Sequence, residues 1–406
     1  MPEGPNDKQE RETKTPIPIE IDFGDQLPAG VVLAAADPGD EHVPAATSGF
    51  TSTVDGQAFI RLLEGWPEDV LQRLPPQKRV VPSQVDHMLV VCRRDGKADV
   101  FINNLELIFH ARASRSIKAG EGVTKDDVAD IERFELGVPI PDDAGFLFLF
   151  SVGWRKGFVF DFGPILPTEI PKESDCQPRQ YQPRQYDITA VLTQVFSQVL
   201  FQERLSISDD EWNALFAAKW FPFVGLGNDK IDSLLNHIRS GWNPDEMLDE
   251  IAAMIKERIP KMLDSWRRKP SFSPHMEILE RALERFQDDD FVSCTGLLFP
   301  RIEGMLRTYH SSLGQKKKPS PQNLSASAVA SKIENEGSLL LPRQFLKYLR
   351  EVYFAYFDPN TEKIGVSRHS VGHGVAPVEE FNRKSSVISI LMINQLFYLF
   401  RKQVVT

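Results

Sequence analysis

Apolar residues recur at two different spacings along this chain, and the change of spacing divides it. From about residue 187 onward they return every three or four positions, as on one face of a helix. Ile188, Val191, Leu192, Val195, Val199 and Leu200 set that period over Asp187–Arg204. Ser208 with Glu211 reads as a capping box opening the next helix. Asn243-Pro244-Asp245-Glu246 supplies a cap, a first-turn proline and acids facing the helix dipole, for a helix reaching about Arg267 with a bend at Pro260. Further helices are predicted over 275–287, 290–311, 325–335, 341–356 and 377–402, and Gly314–Ser325 reads as a loop carrying Lys316, Lys317 and Lys318.

The first half is mixed. Val31–Ala36, Met88–Cys92 and Asp99–Ile102 read as strands, the last two around a turn at 94–97. Phe146–Val152 and Phe158–Phe162 are aromatic, β-prone runs joined by Gly153-Trp154-Arg155-Lys156-Gly157, the pattern of a hairpin. Gln57–Leu74 has helical spacing interrupted at Pro67, and Thr124 with Asp127 predicts a helix running to about Phe134. The fold class expected is α+β: a mixed N-terminal domain followed by an all-α bundle. The boundaries are a disordered, Pro- and charge-rich 1–28, an α+β domain over 29–165, a Pro-rich linker over 166–186 and a helical domain over 187–406. The linker holds a tandem pentapeptide, Gln177–Tyr181 and Gln182–Tyr186, too short for a repeat architecture.

Charge adds one distinction. The net charge is -10. Residues 1–186 hold 20 Lys and Arg against 30 Asp and Glu, whereas 187–406 hold 27 of each. An acidic first half is a poor general platform for a polyanion, while the neutral half can still form a local basic cleft. The three cysteines, Cys92, Cys176 and Cys294, have neither zinc-site nor disulfide spacing, as expected of a cytoplasmic protein. Met1–Lys14 is polar, and the most apolar run, Val387–Phe400, is only 14 residues long and carries Ser389, Asn394 and Gln395. A membrane span is therefore not expected, and a buried or interface helix is.

The segment that stands out chemically is Ser367-Arg368-His369-Ser370-Val371-Gly372-His373-Gly374. On a helix, Arg368 and His373 project from neighbouring faces, near enough to address one phosphate. Upstream, Leu298, Ile302, Met305 and Leu306 make the core face of a helix, with Glu303 and Arg307 side by side at its edge. The plain alternative is a helix-end histidine with Arg368 paired to Glu379 or Glu380, and a surface Glu303–Arg307 pair. Arg268 and His275 also fall near this spacing, but Pro270 and Pro274 put them in a loop. Gly225-Leu226-Gly227 reads as a helix–helix turn rather than a phosphate loop, Asp288-Asp289-Asp290 as a solvated helix start, and Trp154-Arg155-Lys156 as a turn or a base-stacking tip.

Pro300-x2-Glu303-x3-Arg307, followed by Arg368-His369-x3-His373-Gly374 and a closing apolar helix, resembles the HEPN superfamily over about 270–402. His369 stands where that family often has Asn. The resemblance implies a metal-independent endoribonuclease of phage-defence or toxin–antitoxin type, cleaving RNA with Arg368, His373, His369 and Glu303 as catalytic residues and Arg307 contacting substrate. It implies no cofactor or metal, a homodimer, and an antitoxin or regulatory partner, with the first domain as sensor or substrate selector. The apolar circumference of Val387–Phe400 is an independent motive for the dimer. Since some members have lost catalysis, an inactive RNA-binding or protein-interaction module is the alternative, and a structural protein with an incidental Arg/His pair a third.

Overall fold

The computed structural model describes residues 17–22, 59–63, 66–85, 87–93, 97–104, 107–138, 144–151, 156–161, 188–314, 319–356 and 367–400. The chain divides into two compact units, one of residues 1–109 and 134–192, the other of 110–133 and 193–406. Together they make an α+β protein with a small N-terminal sheet and a helical C-terminal region.

Strands of the first unit are β1 (Ile19–Asp22), β2 (Phe59–Leu63), β3 (His87–Arg93) and β4 (Lys97–Ile102), with helix α1 (Trp66–Arg73) between β2 and β3. A separate two-stranded ribbon follows, β5 (Leu107–Ala113) and β6 (Val128–Leu136), and then β7 (Ala144–Ser151) and β8 (Lys156–Asp161). The main sheet is antiparallel in the order β1-β4-β3-β7-β8-β2. Met88, Val90, Ala98 and Val100 pack with Val70, Leu71, Leu74 and Val85, so α1 and the turns after it cover one face. β7 and β8 pair as the expected hairpin, in register Ser151 with Lys156. Its tip at 152–155, Val31–Ala36, the 94–97 turn save Lys97, residues 162–187 and Lys316–Lys318 lie outside the described residues.

Two expected helices are corrected. Gln57–Leu74 is not one element: Phe59–Leu63 pairs with β8 as a strand, and α1 begins only at Trp66. Pro67 falls in its first turn, where the missing N–H costs nothing. At Thr124 the capping box is real, with Asp127 Oδ2 accepting from the Thr124 amide at 2.9 Å, but it caps a single 3-10 turn. The chain then extends as β6, in which Val128, Ala129, Asp130 and Ile131 are all buried. Pairing with β5 and burial on both sides override the local helix start.

α2 (Ile188–Leu200) begins in the first unit and ends in the helical one, which continues with α3 (Gln202–Leu205), α4 (Asp209–Ala217), α5 (Asn228–Ser240), α6 (Leu248–Arg267), α7 (Met276–Gln287) and α8 (Phe291–Ser312). The helical unit then adds α9 (Pro321–Val329), α10 (Pro342–Tyr348), α11 (Arg368–Gly372) and α12 (Arg383–Leu399). The expected caps form: Ser208 accepts from Glu211 N, Asn243 from Asp245 N and Asp290 from Ser293 N. Several boundaries move. Asp187–Arg204 breaks at Phe201 into α2 and α3, and Asn243 caps a 3-10 turn, Pro244–Met247, ahead of α6. Ser320 caps α9 earlier than expected; the 341–356 helix ends in a π-turn, Leu349–Tyr353; and 377–402 is a 3-10 turn, Val378–Glu380, before α12.

α12 packs against α6, α8, α9 and the 224–226 turn, and Val387, Ile390, Leu391, Met392, Ile393 and Leu396 are all at most 1% exposed. Its apolar circumference is thus used inside one chain. That removes the motive it gave for a dimer. Among the described residues no helix is long and apolar enough to cross a membrane.

Residues 110–133, assigned from sequence to the first domain, are clasped into this unit by Asp130. Its fully buried carboxylate accepts from Ser338 Oγ at 2.8 Å and from the Leu339 amide at 2.9 Å, and pairs with buried Lys332 at 2.7 Å. Asn335 Nδ2 adds a bond to Ile131 O at 3.0 Å. Lys332 also pairs with Glu132 at 2.8 Å, so removing Asp130 takes away one of the two carboxylates that hold this buried lysine and the acceptor of the Ser338 and Leu339 donors. Asp130→Ala is expected to lower unfolding free energy by about 3 kcal/mol, read as a shift of the urea midpoint. A loss within about 0.5 kcal/mol, as at an ordinary surface position, contradicts the clasp.

Candidate functional site

α11 is short, and local bonds explain why it forms at all. Ser367 Oγ accepts from the Ser370 amide at 3.2 Å, and Ser370 Oγ from the Ser367 amide at 2.9 Å, a reciprocal capping box. Both serines are buried, so the turn is anchored by its inner face against α8 and turns His373 outward. Gly374, at φ 69°, ends it in the left-handed region.

On this turn Arg368 and Gly372 share a side. A Cβ on Gly372 would lie 3.0 Å from Arg368 Nη1 and 3.5 Å from Cζ, so the missing side chain gives the guanidinium room to fold over the last turn. Arg368 Nε donates to Glu303 Oε2 on α8. The other oxygen, Oε1, accepts from Arg307 Nε at 2.8 Å and Nη2 at 2.6 Å. Glu303 is 8% exposed at its side chain, against 31% for Arg368 and 47% for Arg307. One buried carboxylate therefore fixes two guanidiniums that reach solvent, and the trio carries one formal positive charge. The alternative partners for Arg368, Glu379 and Glu380, are not used in this way; Glu380 pairs with Lys219 at 3.2 Å.

His369 and His373 follow on the same turn, with ring centroids 6.5 Å apart and planes within 15° of parallel. His373 is exposed and His369 half-buried. Burial, then the positive charge of Arg368, then His373 hold the His369 imidazole below its usual pKa, with Glu303 opposing. His369 is accordingly neutral at pH 7. Its ring lies 6.5 Å from Phe354 and 6.2 Å from Tyr356, which is 85% exposed. The structure thus joins Glu303, Arg307 and Arg368 by ion pairs and sets His373 beside His369, while Arg368 shares its side of the turn with Gly372 rather than with His373. Tyr356 was missed: it closes a predicted helix, and nothing in its spacing ties it to His369.

The rejected candidates have structural roles. His275 is a buried neutral imidazole, lowered to about 4 by desolvation and by Arg301. Arg301 can only donate, so Nδ1 accepts from it at 3.4 Å and Nε2–H donates to Thr308 Oγ1 at 3.0 Å. Gly225 sits where α12 comes close, since a Cβ there would meet Asn394 Nδ2 at 2.8 Å. Asp290 caps α8 and Asp289 pairs with Lys256 at 2.8 Å. Among the described residues no group of three or more His, Cys, Asp or Glu side chains is placed to hold a metal ion.

No protein-family model matches this chain, and no curated protein or solved structure matches it significantly. The reading of the site therefore stands on its geometry.

In an imidazole NMR titration His369 is expected to lose its proton below the ordinary value of about 6.5. Arg368→Ala removes the second-largest cause and moves that midpoint upward, leaving the effect of burial. A midpoint at or above the ordinary value in the unaltered protein contradicts this arrangement.

Proposed function

We propose that this chain is a metal-independent endoribonuclease of HEPN type, acting in phage defence or in a toxin–antitoxin-like system. One observation carries the reading. Glu303 fastens Arg368 and Arg307 at solvent, beside two parallel imidazoles on the same short turn.

The chemistry follows from these groups. Arginine stays charged at all working pH values and grips phosphate oxygens through its planar fork. Arg368, with Arg307 beside it, holds the scissile phosphate of RNA and stabilises the dianionic phosphorane. His369, neutral at pH 7, accepts the proton of the 2′-hydroxyl. The 2′-oxygen attacks phosphorus and the P–O5′ bond breaks. His373, in its protonated form, gives its proton to the departing 5′-oxygen. The products are a 2′,3′-cyclic phosphate end and a 5′-hydroxyl end. Glu303 touches no reacting atom; it is a positioning residue for both guanidiniums.

Incubation of the purified chain with RNA in EDTA tests this. Cleavage leaving cyclic phosphate ends is expected, and Arg368→Ala and His373→Ala should each slow it by roughly 10²- to 10⁴-fold while the circular dichroism is retained. Expression of the unaltered chain should arrest growth, and His373→Ala should relieve it. EDTA-resistant cleavage that survives both substitutions overturns the assignment. Tight RNA binding with no cleavage favours the inactive, RNA-binding alternative.

A further inference from the structure

Tyr356 is the most exposed of the large apolar side chains among the described residues. A single exposed ring is ordinary in itself, so its position is the informative feature. Two residues earlier, Phe354 is buried in the core of the helical unit, edge-on to Tyr353 at 4.7 Å. Tyr353 is fixed in turn by its hydroxyl, which donates to Phe299 O on α8 at 2.7 Å. The chain is therefore anchored to α8 as far as Phe354, and then carries the next aromatic ring into solvent. That ring comes within 6.2 Å of His369, and the two planes are inclined by 59°, so they are not stacked face to face. A ring left in water contributes little to folding.

The neighbour of the ring fixes what it can touch. On the reading proposed above, Arg368 holds the scissile phosphate and His369, the next residue, takes the proton of the 2′-hydroxyl. The 2′-oxygen and the base are carried by adjacent carbons of one ribose. A ribose whose 2′-hydroxyl faces His369 therefore brings its base into the space beside that imidazole, which Tyr356 borders. Phe354, 6.5 Å from His369, is buried and offers no face to a ligand.

We infer that Tyr356 is a substrate-binding residue whose ring stacks on the base of the nucleotide that supplies the attacking 2′-hydroxyl. The inference rests on the nuclease reading for which nucleotide that is. A base can stack there only when it is out of a double helix, so the substrate class is single-stranded RNA, in a loop, a bulge or a tail. Every base has a π-face, so the contact holds the nucleotide without choosing strongly among the four. The arginines bind through charge and lose strength as salt rises, whereas the tyrosine binds through its ring face and adds no phosphate contact.

A deoxyuridine oligomer, which has no 2′-hydroxyl and cannot be cut by this route, separates binding from cleavage. The unaltered full chain should bind it, and Tyr356→Ala should weaken binding by roughly 5- to 150-fold, read by fluorescence anisotropy. Tyr356→Phe should keep the affinity within about twofold, because the ring and not the hydroxyl makes the contact. Tyr356→Ala should leave the slope of log affinity against log salt unchanged, whereas Arg368→Ala should flatten it. Base-free deoxyribose phosphate of the same length should bind the unaltered and Tyr356→Ala proteins alike. The exposure of the ring keeps both variants folded. Equal affinity of the Tyr356→Ala and unaltered proteins, or no binding by the unaltered chain, refutes the stack, whether or not RNA is cut. A Tyr356→Phe protein as weak as Tyr356→Ala refutes it too, as does RNA cut equally fast in single strands and in duplex. If the ring effect is found and no RNA is cut, the stack stands and the nuclease reading falls.

Discussion

The site depends on the buried carboxylate of Glu303. A carboxylate at 8% exposure is tolerable only when its oxygens are paired, and here each oxygen meets a guanidinium. Arg307 comes from one turn further along α8, so that bond is local. Arg368 comes from 65 residues later, so that bond ties α11, docked through its buried serines, to α8. Because both arginines reach solvent, the arrangement spends no cation on neutralising a second buried charge. It leaves positive charge at the surface where a phosphate can meet it.

The same logic works at a second place with a different outcome. Asp130 is fully buried against Lys332, itself 7% exposed and shared with the partly exposed Glu132 at 2.8 Å. That pair serves assembly, binding the 110–133 ribbon into the helical unit. Between the two pairs runs the core, with α12 packed against α6, α8 and α9. α8 thus links core and site. Its buried Leu298, Ile302 and Leu306 fix the helix, and Glu303 projects from its edge to hold α11.

Much of this was legible in the sequence because it is written locally. Capping at Ser208, Asn243 and Asp290 and the 3.6-residue period predict helices from residues only three or four apart. The hairpin of β7 and β8 is a local signal of the same kind. Glu303, Arg307, Arg368 and the two histidines could be chosen because helical spacing and the HEPN resemblance point to them together. Other features are decided at a distance. The Thr124–Asp127 box is the same for one turn or for a whole helix, and only the pairing of β6 and the burial of Asp130 end it. The apolar circumference of α12 fits a partner chain as well as an encircling bundle until the helices around it are placed.

A double-mutant cycle between Glu303 and Arg368, read on kcat/KM for RNA cleavage, tests the central claim most directly. If the carboxylate acts by holding that guanidinium, Glu303→Ala loses most of its effect once Arg368 is already alanine, with a coupling of about 1–3 kcal/mol. Losses that add to within about 0.5 kcal/mol, or no cleavage by the unaltered chain, contradict the account.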